Sequence, residues 1–436
     1  MSEDASPLPI PGGLQGRDFW ILMGYAVVLG LVGVVASLVF LGVTELGEEW
    51  YGASATGWFD GHVWWIGVAA GAGLIVGVLR HVLHMPKKIP GLIKDLEEQH
   101  IATRWVPSIV AVSAVSLVGG ASLGPEVALG QMGGGAAELL ARRGGLDEDD
   151  TKSLTLTGMA GAFGGLFSSP VMTMVLLLEI ARPVGRQFRR AFYGILVASS
   201  VSFGIYFAIA GTVFLGIYTV PQYTFENWHL FAGIGLGILS AVIVVVLFAI
   251  GNVLNRLFDR VSLPAIAKPI LGGLIFGTVG YALPLTNFTG SAQLNTVLTT
   301  GGTLGAGLLI SILIGKMVAF AASTASGFIG GPIFPMLFIG GTSGVIISEI
   351  FSGIPLGLAF TCMLSAVPGA VVSAPLSMVL LAALFAQIGT LQTTPVVIAV
   401  GTAYLTLAGL KTLIAERSKT QGDAGATAPL SDDSAV

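Results

Sequence analysis

The chain has 436 residues, 54% hydrophobic and 10% charged, with a mean hydropathy of +0.86. Soluble domains carry roughly a quarter charged residues, so this composition excludes an ordinary soluble protein and describes a polytopic membrane protein in contact with the lipid bilayer. The net charge of −4 gives no reason to expect a nucleic-acid partner, and a single cysteine, Cys362, excludes an intrachain disulfide.

Residues 1–17 read as a short N-terminal tail, since MSEDASPLPIPGG lacks the basic region and cleavage site of a secretory signal. Apolar segments follow near 19–43, 64–84, 106–120, 191–217, 228–251, 263–283, 303–323 and 393–414. Each is long enough, or nearly so, to cross about 30 Å of hydrocarbon. Between them lie shorter pieces interrupted by Gly and Pro, at 125–141, 153–168, 170–181, 332–350 and 368–386. Such pieces predict broken or re-entrant helices, tolerated at membrane depth only inside protein or against an aqueous cavity. Residues 416–436 are small, polar and proline-containing, and predict a disordered C-terminal tail.

Loop charge gives orientation. The stretches 80–104, 182–190 and 252–268 are rich in Arg and Lys, whereas 44–63 and 218–227 hold acids without Lys or Arg, and 284–300 holds no charge. The positive-inside bias puts the basic group in the cytoplasm, with both termini, and implies a multi-pass plasma-membrane protein.

The chain also resembles itself. GPEVALGQMGGGAAELL from Gly124 matches GPIFPMLFIGGTSGVII from Gly331, and MAGAFGGLFSSPVMTMVLLLEI matches LSAVPGAVVSAPLSMVLLAALF. Pro125 and Pro170 are 45 residues apart, and Pro332 and Pro375 are 43 apart. Two half-chains with matching interrupted helices predict an all-α fold of inverted-topology repeats, here 18–220 and 221–415, with its binding site where the repeats meet. Each Gly-Pro reads as a helix start inside the membrane. A helix start leaves N–H groups unpaired and carries roughly half a positive charge, so two starts aimed at one point bind an anion without a cationic side chain.

These residues resemble the CLC family of chloride channels and chloride/proton exchangers, over about 20–415. The family's GREGP motif is matched by ASLGP (Ala121 to Pro125), its GxFxP by GPIFP (Gly331 to Pro335) and, weakly, its GSGIP by PKKIP (Pro86 to Pro90). The resemblance implies a homodimer with one pore in each subunit, a small inorganic anion such as chloride as cargo, and an anion site lined by Ser122, Leu123, Gly124, Gly331, Ile333 and Phe334. It implies no enzyme activity and no cofactor.

The departures from the family are specific. Leu123 stands where the family has its gating, proton-carrying glutamate, and Ile180, beside Glu179, stands at the inner proton glutamate. Neither can titrate, so the family's proton route is closed and passive transport is expected. Lys87 replaces the coordinating serine, Ile414 replaces the coordinating tyrosine, and Pro332 removes an N–H that the family uses as a donor.

Glu126 opens the helix after Pro125 and has two readings: a first-turn carboxylate stabilising its own helix, or a relocated gate on nearly the same face as Leu123. Lys87 is either an anion ligand or an ordinary loop charge. Lys316, inside an apolar segment, is expected to pair structurally with Glu179 or Glu349. His81 and His84 share a helical face, but no acid or cysteine at metal spacing joins them, so no metal site is expected. No GxxxxGKS loop supports ATP-driven pumping. Two alternatives to passive transport stay open: a proton-coupled transporter using Glu126 or Glu179, and a membrane scaffold that no longer transports.

Overall fold

The computed structural model describes residues 16–50, 62–86, 89, 91–211, 218–261 and 263–426, with the backbone alone at 50 and 414–426. The first eight helices are α1 (Arg17–Trp50), α2 (Trp64–Val82), α3 (Leu92–Glu98), α4 (Val106–Val118), α5 (Glu126–Gly144), α6 (Glu148–Phe167), α7 (Pro170–Ala181) and α8 (Gly185–Ala210). A second eight follow: α9 (His229–Arg260), α10 (Ala267–Ala282), α11 (Ser291–Leu304), α12 (Ala306–Ser326), α13 (Ile333–Ile350), α14 (Leu356–Val372), α15 (Pro375–Phe385) and α16 (Thr390–Ala426). Among the described residues, seven helices are long and apolar enough to cross a membrane: α1, α2, α8, α9, α12, α13 and α16. The expected all-α architecture with interrupted helices is the one found.

The two sets of eight run in parallel order. In the first, α1 packs on α6 and α8, and α5 on α6; in the second, α9 packs on α16, and α13 on α14. Contacts of α2 with α10 and of α7 with α15 join the sets. Without a hydrophobic driving force between helices in lipid, small residues let backbones touch. Gly133 of α5 lies so close to α6 that a β-carbon there would sit 2.2 Å from the carbonyl oxygen of Gly158. Gly340 of α13 repeats this against Met363 of α14, at 2.3 Å. These contacts bury α5 and α13 at the centre of the molecule.

Polar ties reinforce the packing. Asp147 caps α6 by accepting from the Asp150 amide at 2.8 Å, and Arg190 of α8 pairs with Asp150. Glu138 of α5, almost fully buried, accepts from the Ile101 amide at 3.2 Å and pairs with His100 at 2.8 Å. Cys362 is buried, as an apolar filler.

Four expectations are corrected. The segment 368–386 is two helices, because Ser373 takes a left-handed φ of 59° and Pro375 starts the next helix with no amide to lose. Most of α14, together with α3 and α11, falls outside the apolar segments read from sequence. The helical backbone continues through 416–426, where a disordered tail was expected; adding turns to an existing helix avoids the unfavourable nucleation step. Lys316 pairs with neither Glu179 nor Glu349. Its Nζ donates to the carbonyl oxygens of Thr286, Asn287 and Phe288 at 3.1, 3.3 and 2.7 Å. Those carbonyls end a short 3₁₀ turn (Pro284–Thr286) and leave acceptors that nothing within the turn satisfies.

Candidate anion site

Both Gly-Pro pairs are helix starts. Pro125 and Pro332 occupy the N-cap positions of α5 and α13, with φ of −77° and −90°, so the first helical residues are Glu126 and Ile333. The two starts meet head to head. Gly124 and Gly331 form an isolated antiparallel bridge, in which the Gly124 amide donates to the Gly331 carbonyl at 2.8 Å and the Gly331 amide to the Gly124 carbonyl at 2.7 Å. The two glycine amides are therefore engaged with each other. What the glycines supply is room above the bridge.

The carboxyl group of Glu126 fills that room. A β-carbon on Gly331 would lie 2.1 Å from Glu126 Cδ, and one on Gly124 would lie 2.0 Å from Oε2. Oε1 accepts from the Ile333 amide, the first of α13, at 2.6 Å. The side chain is fully buried, and Oε2 has no hydrogen-bond partner among the described residues. Glu126 thus sits at the first position of its own helix while its carboxylate caps the opposing one. Two helix N-termini, each with roughly half a positive charge, converge on one tethered anion. A small free anion suits the same electrostatics.

The other predicted site residues divide. Leu123 is fully buried, packs close to Gly330, and has its amide turned to the Ala121 carbonyl at 2.9 Å. Ser122 is buried, with no partner for its hydroxyl among the described residues. Phe334 lies in the buried core beside Ile333. Lys87 lies outside the described residues. Ile414 lies on the helical backbone of α16, with its side chain outside the description. Ile180 is buried on α7, whereas its neighbour Glu179 caps α15 across the molecule, accepting from the amides of Leu376 and Ser377, both at 2.9 Å. Among the described residues, no cluster of three or more His, Cys, Asp or Glu offers a metal site.

Sequence reading missed two residues that set the loops. The Ser116 hydroxyl accepts from the Ile329 amide at 3.1 Å, and the Gly120 carbonyl accepts from the Phe288 amide at 3.2 Å. Gly120 has a φ of +83°, open to glycine, and lies against the Trp65 ring where a side chain would not fit. The pair Gly119-Gly120 before the motif was the available signal.

Two broken helices meeting start to start in matching half-chains define an inverted-repeat membrane protein of the anion-transport class. Residues 71–408 match the family model described as voltage gated chloride channel, and the chain belongs to this CLC family. It is 25% identical over 357 residues to the "Putative ion-transport protein YfeO" of Salmonella paratyphi A, covering 76% of this chain and 82% of that protein. It is 24% identical over 380 residues to a "Chloride/fluoride channel protein" of Pseudomonas syringae pv. tomato, covering 83% and 79%. Among solved structures, a slow cyanobacterial Cl-/H+ antiporter superposes with a TM-score of 0.77 at 20% identity, covering 91% of this chain and 97% of that one. A CLC-type fluoride/proton antiporter superposes with a TM-score of 0.70 at 18% identity, covering 89% and 94%.

Proposed function

We propose that this protein moves a small inorganic anion, chloride in the first instance, passively across the plasma membrane, with Glu126 as its gate. The carrying observation is the Glu126 carboxylate lying over the Gly124–Gly331 bridge and accepting from the first amide of α13. In this reading the carboxylate is a tethered competitor: it leaves, and a free anion takes its place between the helix starts. One of its oxygens is buried without a donor among the described residues. Such a group costs about 1–3 kcal/mol or more when charged, which offsets the hydrogen bond to Ile333 and keeps the closed arrangement shallow enough to open. Leu123 and Ile180 hold no exchangeable proton, which supports passive movement. Membership of the family supports a homodimer with a pore in each subunit and both termini in the cytoplasm. The name of the Pseudomonas relative supports chloride or fluoride as cargo.

A second reading makes Glu126 a proton carrier in a coupled exchanger. It is favoured by Oε2, which accepts no hydrogen bond among the described residues and so offers a point of protonation, and by the antiporter titles of the two structural neighbours. Proteoliposomes loaded with chloride, assayed for anion flux with simultaneous internal pH recording, separate the two. Chloride efflux without uphill proton movement supports the passive gate. Uphill proton movement that disappears in Glu126→Gln supports the exchanger. Absence of flux for every anion tested, in the wild type and in Glu126→Ala, overturns both and favours a scaffold.

A further inference from the structure

Two positively charged residues remain unused by this reading, one on α2 and one on α12, and each is tied to a loop that leads to a bridge glycine. We infer that Lys316 and Arg80 are positioning residues for the anion site: Arg80 pins the loop of the opposite half directly, and Lys316 does so through Phe288. The inference deepens the transport reading and rests on it.

The two loops are equivalent. One runs from Gly120 to Gly124 and the other from Gly327 to Gly331, so each begins four residues before a bridge glycine. Both first glycines take a left-handed φ, +83° at Gly120 and +102° at Gly327, where the chain turns sharply out of α4 and α12. At each turn the glycine carbonyl is held by a donor from the other half of the molecule. The Gly327 carbonyl accepts from Arg80 Nη1 of α2 at 2.7 Å, and Arg80 Nη2 reaches the Pro86 carbonyl at 3.0 Å. The Gly120 carbonyl accepts from the Phe288 amide at 3.2 Å.

Phe288 holds that place from an unusual backbone conformation. It has a φ of +56°, uncommon for a bulky residue. The Lys316 ammonium fixes it, donating to its carbonyl at 2.7 Å and to the two preceding carbonyls. Lys316 is fully buried, and its Nζ lies 4.9 Å from the centre of the Phe338 ring on α13. The Phe288 ring meanwhile stacks against Trp65, with centroids 5.7 Å apart, and Trp65 packs on Gly120. A continuous set of contacts therefore runs from Lys316 through Phe288 to Gly120, and so to the loop that ends at Gly124.

A buried ammonium is expensive in a membrane and is retained where it acts. Packing alone is served as well by an apolar side chain. Here the charge does two things that methionine does not: it holds three carbonyls at once, and it adds positive potential beside α13. Lys316 lies midway along α12, and Arg80 meets Gly327 just past its C-terminal end. Ten residues of helix separate Lys316 from Ser326, about 15 Å. Each of the two loops is thus tied to a cation, one directly and one through Phe288.

The test is chloride titration of the full-length protein, by calorimetry in detergent and by flux in proteoliposomes. The variants are Lys316→Met, Lys316→Arg, Arg80→Met and Arg80→Lys, with Lys268→Met as control. Lys316→Met and Arg80→Met are expected to raise the half-saturating chloride concentration at least tenfold while maximal flux changes less than threefold. The charge-retaining variants recover part of that shift, and Lys268→Met stays within twofold of wild type. Half-saturation within twofold of wild type in both methionine variants overturns the inference. If Lys316→Met does not fold, Arg80→Lys carries the test alone: it keeps the charge but loses the two-pronged hold, and an unchanged half-saturation there overturns the inference equally. Failure of the transport reading shows differently, as a wild type that neither binds nor passes chloride. In that case hydrogen exchange at Gly124 and Gly331 decides: exchange at least tenfold faster in Arg80→Met supports the brace, and unchanged exchange overturns it.

Discussion

Oε1 of Glu126 lies 2.6 Å from the amide of Ile333, a hydrogen bond between residues 207 positions apart. The first residue of one broken helix thereby caps the first residue of its repeat counterpart. This one contact relates the two half-chains, the two helix starts and the proposed gate.

Glu126→Ala removes the tethered anion and leaves both helix starts open. Passive chloride flux is expected to rise about tenfold, equivalent to about 1.4 kcal/mol, while thermal stability in detergent changes by less than about 1 kcal/mol. That small change follows because the lost hydrogen bond and the relieved unpaired oxygen offset one another. Flux equal to or below wild type would remove Glu126 from the gate.

Gly331→Val puts branched carbon where the Glu126 carboxyl now lies, 2.1 Å from its Cδ at the first added atom. The flexible carboxyl can swing away, so the chain should fold and run at the wild-type size on gel filtration. The new side chain then occupies the anion's place, and flux is expected to vanish. Wild-type flux in this variant is the result that contradicts the site.

Glu179→Gln should leave flux within about twofold of wild type. Its carboxylate is engaged with the amides of Leu376 and Ser377 at the start of α15, and the expected loss is one of stability, about 1 kcal/mol as for other helix caps. Abolished proton movement in this variant, with Glu126→Gln unaffected, would instead make Glu179 the carrier.

Asp95, on the short helix α3 outside the spanning segments, is pushed up to about 7, chiefly by burial and against the hydrogen bond from Gln131. Its ordinary value is 3.8. The folded protein holds this proton more tightly than the unfolded chain, so its contribution to stability is complete below about pH 4 and is lost as pH rises through 7. The melting temperature should therefore be higher at pH 5.5 than at pH 8. Asp95→Asn should abolish most of that difference, which is read by thermal unfolding at the two pH values. An unchanged difference would show that Asp95 does not titrate in this window.

The fold was legible in large part because lipid imposes simple constraints. Apolar length marked the spanning helices, and the paired Gly-Pro marked the starts of α5 and α13. The short helices α3 and α11 were not legible, since protein rather than lipid surrounds their buried faces and no long apolar run announces them. At the site, sequence offered Glu126 as a stabiliser of its own helix or as a gate, whereas the carboxylate caps the opposing helix. The partner amide of Ile333 comes from the other half-chain, and no local pattern encodes that distance. Lys316 was legible as an intramembrane charge, but not its partners. Backbone carbonyls have no sequence signature, so carboxylates were the natural expectation.

The hydrogen-bonded bridge between Gly124 and Gly331 also bears on how strongly outside anions must be concentrated to enter. It keeps the two helix starts together, so under the proposed gate the only mobile competitor is a carboxylate on a side chain two methylenes long. A group so tethered acts at an effective concentration of millimolar or more, and dilution of the surroundings cannot lower it. Dilute anions would lose that competition and abundant ones would win it. The protein would then behave as an overflow valve, nearly silent at low anion activity and conducting once the bath outnumbers its own carboxylate.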